Sequence, residues 1–141
     1  MDTKFAQAIH ALVYISETTE IASSQALAKS VGTNPSHIRK ITSMLKQAAL
    51  IESSQGKAGF TLVKPKESIT LAEIYQAVHP DKYLFNLHQT PHPQCPIGKR
   101  ISLVLKPTFD QFKQDLANSL GTKTLSQLID DLYYSTNNST L

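Results

Sequence analysis

A winged helix-turn-helix, mainly α with a small β-hairpin wing and followed by a long C-terminal helix, is the fold class this sequence predicts. Three observations predict it. Residues 26–51, ALAKSVGTNPSHIRKITSMLKQAALI, read as two helices joined by a short turn that contains glycine. Residues 52–65, ESSQGKAGFTLVKP, follow at once and read as two short strands around a cationic tip. The charge is also lopsided: residues 1–66 carry eight Lys and Arg against four Asp and Glu, whereas residues 67–141 carry six against seven. Helix, turn, helix and basic ribbon is a layout whose second helix and wing suit a nucleic-acid groove.

Each element has a local cause. A first helix is expected from about Asp2 to Ser16, with Phe5, Ile9, Leu12 and Val13 at helical spacing. The second begins near Ser23 or Ser24, either of which can cap it, and buries Leu27 and Val31 before Gly32 supplies the turn. Asn34-Pro35 opens the third with a cap residue and a proline at the first helical position, where a missing N–H costs nothing. Its apolar face is Ile38, Ile41, Leu45 and Ala48. Strands follow at Ile51–Ser54 and Phe60–Val63, with Gly56-Lys57-Ala58-Gly59 as the turn and two glycines permitting positive φ. Thr70-Leu-Ala-Glu73 is a capping box that starts a fourth helix with Leu71, Ile74 and Val78 apolar. Residues 81–94 read as a loop, and a long helix is expected to start at Cys95-Pro96 with Ile97, Ile101, Val104, Leu105, Phe112 and Leu116 forming a stripe. Pro107 should kink or split it. Thr124 and Gln127 cap a last helix through Tyr134, and the tail STNNSTL is expected to fray. The expected division is a winged DNA-binding domain over 1–80, a linker over 81–94, dimerisation and sensor helices over 95–134 and a flexible tail over 135–141.

The third helix carries the functional signal. At about 100° per residue, Ser36, Lys40, Ser43 and Gln47 point away from the apolar face, with His37 and Arg39 on its flanks. Hydroxyl, amide and cationic groups of this kind suit phosphates and base edges. An ordinary solvated helix face is the alternative, but such faces usually carry some acid, and Pro35 to Leu50 contains none. Lys57 at the wing tip is placed to meet an adjacent phosphate, and Ser24 and Gln25 to meet another from the start of the second helix. The stripe of the long helix must be covered, either by its own first helix or by the same helix of a second subunit. A symmetric dimer would set two recognition helices about one DNA turn apart, as a palindromic operator requires.

Composition narrows the rest. A chain of 141 residues with 40% apolar and 18% charged residues fits one folded core. No apolar run approaches the length of a membrane span, and Asp2 and His10 interrupt any signal-peptide pattern, so no membrane association and a cytoplasmic location are expected. The single cysteine, Cys95, excludes an internal disulfide framework.

On the strings LAKSVGTNPSHIRKITSMLKQAALI and QGKAGFTLVKPKESITLAEIYQAV, the chain resembles the Rrf-two (Rrf2) family of bacterial winged-helix regulators, the group that includes IscR, NsrR and CymR. The resemblance runs from Phe5 to about Leu132 and takes in the wing and the helix after it. It implies a homodimeric transcriptional regulator, usually a repressor and not an enzyme, that responds to a signal near the start of the long helix. Gln55 stands where the family's wing commonly has a groove-entering arginine, and Ala58 replaces a glycine, with Lys57 as a partial substitute. Several members hold an iron–sulfur cluster with three cysteines near the long helix; this chain has one, so neither that cofactor nor any other is expected.

At the expected helix start, free N–H groups with Lys99 and Arg100 one turn on would favour a Cys95 thiolate, and single-cysteine members look like sensors of oxidants or electrophiles. A small residue filling a gap is the alternative role for Cys95. His88, His92 and Cys95, with His79, have spacings reminiscent of metal ligands, but the Pro-containing loop that holds them is a poor scaffold and no metal site is assigned. A protein-interaction module, a regulator sensing a metal or small molecule, and a cysteine hydrolase are the competing functions.

Overall fold

The structure is a computed structural model that describes residues 2–53, 59–80, 87–88 and 91–138. It forms two compact units: the residues up to Pro80 together with those from Gly121 onward, and residues 81–120.

The first unit is a helical core carrying a small hairpin. Helix α1 (Lys4–Glu17) buries Ala8, Ala11, Leu12 and Ile15, the i, i+3, i+4, i+7 stripe of an amphipathic helix. Helix α2 (Ser24–Val31) is capped by Ser23, whose side chain accepts the Ala26 amide at 3.1 Å. It stops at Gly32, φ +84°, where the amides of Gly32 and Thr33 both reach the Ala28 carbonyl. Helix α3 (Pro35–Gln47) opens as expected, with Asn34 accepting the His37 amide at 2.8 Å and Pro35 in the first turn. Ile38, Ile41 and Leu45 are fully buried.

Ala48, expected on that buried face, is instead exposed. The helix has already ended: Ala49 takes φ +59°, its amide reaches the Lys46 carbonyl, and the Leu50 amide reaches the Leu45 carbonyl at 3.0 Å. This is a Schellman stop with alanine where glycine is usual. It turns the chain so that Leu50 and Ile51 take the buried positions, 1% and 2% exposed.

Strands β1 (Ile51–Ser53) and β2 (Phe60–Leu62) pair antiparallel in the register Ile51↔Leu62, Glu52↔Thr61, Ser53↔Phe60. The hairpin tip, with Gln55, Gly56, Lys57 and Ala58, lies outside the described residues, as do residues 81–86 and 89–90 of the expected loop and 139–141 of the expected tail. Gly59, at the near end of β2, has φ +96°.

A 3-10 turn (Lys66–Ser68) then leads into α4 (Leu71–Val78) through the expected capping box of Thr70 and Glu73. Burial pushes the Glu73 carboxyl upward, but the hydrogen bonds from Lys64 and Thr70 outweigh it, and the group rests below its ordinary value. Phe5 of α1 meets Tyr75 of α4 edge-to-face at 5.2 Å.

Helix α6 (Leu125–Asn138) returns to this same unit. Leu125 and Ile129 are fully buried in the shared core. Thr124 and Gln127 exchange cap bonds of 2.9 and 3.2 Å. Thr124 also forms an antiparallel bridge with Thr70, flanked by the bonds Leu71 amide to Lys123 carbonyl and Leu125 amide to Ile69 carbonyl, 2.9 and 2.8 Å. The sequence grouped α6 with the long helix; its packing puts it beside α1 and the 3-10 turn. It also runs on to Asn138 instead of stopping at Tyr134. Residues 135–138 are poor helix formers, but they include no proline or glycine to break the ladder.

In the second unit the long helix α5 (Ile101–Gly121, the last residue counted with the first unit) starts six residues later than expected. Residues 93–100 are mostly turns, with Lys99 bonded to the Cys95 carbonyl and Arg100 and Ile101 both bonded to that of Ile97. Gly98 sits within these turns and weakens a continuous ladder. Pro107 does not split α5. The carbonyl it leaves without a helical donor belongs to Leu103, a residue 75% exposed. No residue of α5 is buried.

Candidate nucleic-acid interface

Three elements of the first unit converge on one groove. The start of α2 gives Ser23 and Ser24; α3 gives Arg39, Thr42, Ser43, Lys46 and Gln47; the base of the wing gives Ser53, Gly59 and Phe60. The groove measures about 610 Å³, and none of these residues is acidic. Helical geometry explains the α3 set: Arg39, Ser43 and Lys46 stand at i, i+4 and i+7, one stripe opposite Ile38, Ile41 and Leu45. Thr42 lies between the two faces, 3% exposed, and its hydroxyl donates to the Arg39 carbonyl at 3.2 Å, so it adds no free donor to the groove.

The wing is fixed to the helices at two points. The Phe60 amide donates to the Ala22 carbonyl at 3.0 Å, just before the Ser23 cap of α2. Gly59 lies so close to that loop that a Cβ built on it would stand 2.8 Å from Ile21 Cγ2, 3.1 Å from the Ala22 nitrogen and 3.2 Å from its oxygen. On the other side Lys46 Nζ donates to Ser53 Oγ at 3.1 Å, tying α3 to β1.

Of the residues singled out in the sequence, Ser24, Arg39 and Ser43 line this groove. Gln25, Ser36 and Lys40 are exposed on α2 and α3 but do not line it. His37 behaves differently: it is half-buried, and its Nε2 lies 2.7 Å from Gln7 Oε1 of α1, so the ring is engaged away from the groove. Lys57 lies outside the described residues. The sequence reading missed Lys46, although its spacing of seven from Arg39 places it on the same stripe. It also missed Gly59 and Phe60 as anchors, because nothing local announces their meeting with Ala22.

Cys95 is in the second unit, half-buried, its amide bonded to the His92 carbonyl at 3.2 Å. It lies in the turns before α5, not at the helix terminus where the sequence placed it, so the argument from free N–H groups and a helix dipole does not apply to it directly. Among the described residues no three His, Cys, Asp or Glu gather as metal ligands would. His79, one of the histidines considered, is instead buried beside Tyr75 and faces Asp2 at 3.5 Å.

The family model that matches is Rrf2, described as an iron-dependent transcriptional regulator, over residues 1–131. The donor set here does not fit an iron–sulfur cluster, which needs several thiolates where this chain has Cys95 alone. YwnA of Bacillus subtilis (strain 168), an HTH-type transcriptional regulator by name, is 38% identical over 133 residues, covering 94% of this chain and 99% of its own. In fold, the chain is similar to IscR of T. potens, with TM-score 0.68, 16% identity and coverage of 94% and 87%. It is likewise similar to CymR, the global cysteine regulator of B. subtilis, with TM-score 0.63, 17% identity and coverage of 92% and 95%. No helix among the described residues is long and apolar enough to cross a membrane. With a winged core, an acid-free groove on its recognition helix and a family match along nearly its whole length, the chain belongs to the Rrf2 family of transcriptional regulators and is not an enzyme.

Proposed function

We propose that this protein binds a palindromic operator as a homodimer, represses transcription there, and responds to oxidants or electrophiles through Cys95. The groove carries the DNA part of the reading: α2, α3 and the wing base meet around Arg39 and Lys46 with no carboxylate among the lining residues. Ser36, Arg39, Lys40 and Ser43 are the proposed contacts on α3, with Ser24 and Gln25 at α2 and Lys57 in the wing. His37 would join them only by releasing Gln7. Arg39→Ala and Lys40→Ala are expected to weaken binding to duplexes selected from random DNA. Where the side chain meets a phosphate, its removal should flatten the dependence of log K on log salt by about 0.9. Unchanged binding by both variants would remove this surface from the account.

The dimer reading is supported by apolar side chains exposed along one face of α5: Val104 is 63% exposed and Phe112 46%, on the face they share with Ile101 and Leu105. A second copy of the same helix would cover such a stripe. Repression is carried over from the family resemblance. The sensing reading rests on the half-buried Cys95, the chain's one thiol, and on connectivity. The chain of the second unit leaves from the end of α4 and returns at α6, whose start is hydrogen-bonded to the start of α4. A change at Cys95 therefore has a covalent path to both ends of a helix that packs on α3. Mild oxidant should change the DNA affinity of the unsubstituted protein and leave Cys95→Ser unaffected; equal responses would reject the thiol as the sensor.

A further inference from the structure

We propose that Lys46 is a phosphate-contacting residue of the DNA face and that Ser53 of the wing holds it in position. The inference rests on the DNA reading above. Lys46 lies seven residues after Arg39, within about 20° of the same helical direction and roughly 10 Å further along the axis. The two cations thus form one stripe long enough to meet separate phosphates.

Two observations argue for this over an ordinary solvated lysine. The partner of Lys46 is a neutral hydroxyl, Ser53 Oγ at 3.1 Å, which orients the ammonium without cancelling its charge and leaves two of its three protons to donate. The groove around it contains no carboxylate that could quench it. Ser53 is itself a fixed point, because it pairs with Phe60 in the hairpin register and the Phe60 amide is bonded to Ala22. A lysine, normally mobile through four methylenes, is thereby held where α3 meets the wing.

The competing explanation is a staple, in which Lys46 only fastens the wing to α3. Lys46→Gln separates the two through the salt dependence, since it removes the charge while keeping a hydrogen-bond donor, and only loss of a phosphate contact changes the salt slope. Affinity for a selected operator duplex would be measured against salt for the unsubstituted protein, Lys46→Gln, Arg39→Ala, Ser53→Ala and the Lys46→Gln/Ser53→Ala pair, each checked for unchanged urea unfolding. Lys46→Gln is expected, for each bound chain, to lower the salt slope by about 0.9 and to weaken binding about eightfold at 0.1 M salt, the effect of one counterion release per chain. Ser53→Ala should weaken binding with the lysine present and not in the Lys46→Gln background. A Lys46→Gln slope equal to the unsubstituted one, with Arg39→Ala still flattened, overturns the proposal and leaves the DNA reading standing. Equal losses from Ser53→Ala in both backgrounds overturn the positioning role. No salt-dependent binding by the unsubstituted protein defeats both.

Discussion

Replacing Gly59 by alanine should destabilise the protein by roughly 2–3 kcal/mol, an outcome that follows from two separate costs. The first is conformational. Gly59 sits at φ +96°, and holding an L-residue on that side of the map costs about 1–2 kcal/mol. The second is steric. The new methyl group would stand 3.1 and 3.2 Å from the Ala22 nitrogen and oxygen, which are backbone atoms and yield only by moving the wing away from the loop. That movement stretches the 3.0 Å bond from the Phe60 amide to Ala22, worth about 0.5–1.5 kcal/mol. The shortest approach, 2.8 Å to Ile21 Cγ2, matters least, because Ile21 is 61% exposed and its tip can swing aside. Urea unfolding monitored by circular dichroism would measure the effect, with a melting point lower by roughly 6–10 °C as the thermal counterpart. Adding Ile21→Ala should recover little of the loss. A Gly59→Ala midpoint equal to the parent, or full recovery in the double variant, would show that the close backbone approach is not the reason glycine stands there.

Three other outcomes are expected. Ala49→Gly should stabilise the chain by about 0.5–1 kcal/mol in the same unfolding assay, since Ala49 pays for a left-handed φ of +59° and glycine does not, less the extra entropy of an unfolded glycine. Hydrogen bonds from Tyr133 at 2.5 Å and then from Ser16, with a further one from Lys66, hold the Glu17 carboxyl below its ordinary 4.5 against the opposing effect of burial. Its stabilising effect is therefore complete above that value and lost as pH falls through the lower folded one, so Glu17→Gln should flatten the acid side of a melting-point profile below that ordinary value. Val104→Glu should shift the sedimenting species from dimer to monomer with the helical signal of the first unit retained; an unchanged mass would mean that this stripe is not the subunit contact.

What was legible in the sequence was local chemistry. Ser23, Asn34-Pro35, Thr70 with Glu73, and Thr124 with Gln127 each act within one helical turn, and each caps the helix it was expected to cap. The apolar triad Ile38, Ile41 and Leu45 was equally plain, because a period of about 3.6 needs no knowledge of the partner. The misreadings share the opposite property. Ala49 looks like one more helix former until the chain is seen to need a left-handed residue there. Gln7 gives no sign that it will meet His37 thirty residues on, and Ala22 none that it will receive the amide of Phe60. Cys95 followed by proline imitates a helix start, yet the ladder begins only at Ile101. Of the groove itself, Arg39 and Ser43 were readable from helical spacing, whereas Lys46 and the attachment of the wing were not.

The acid-free face of α3 is possible because that helix does not depend on it. Mixed charges at i, i+4 would stabilise an exposed helix by about 0.2–0.5 kcal/mol per pair, and α3 forgoes them. Burying Ile38, Ile41 and Leu45 contributes about 1.5–3 kcal/mol for each side chain, several times what any such pairs could supply. The Asn34 cap adds about 1 kcal/mol at one end, and the Schellman bonds of Ala49 and Leu50 satisfy carbonyls at the other. Folding thus places almost no demand on Ser36, Arg39, Lys40, Ser43 and Gln47. Like-charge repulsion among Arg39, Lys40 and Lys46 is a residual cost at the surface, screened by salt and small beside the burial term. A counter-charge brought from outside would remove that cost, and a row of phosphates supplies one at every step along the groove.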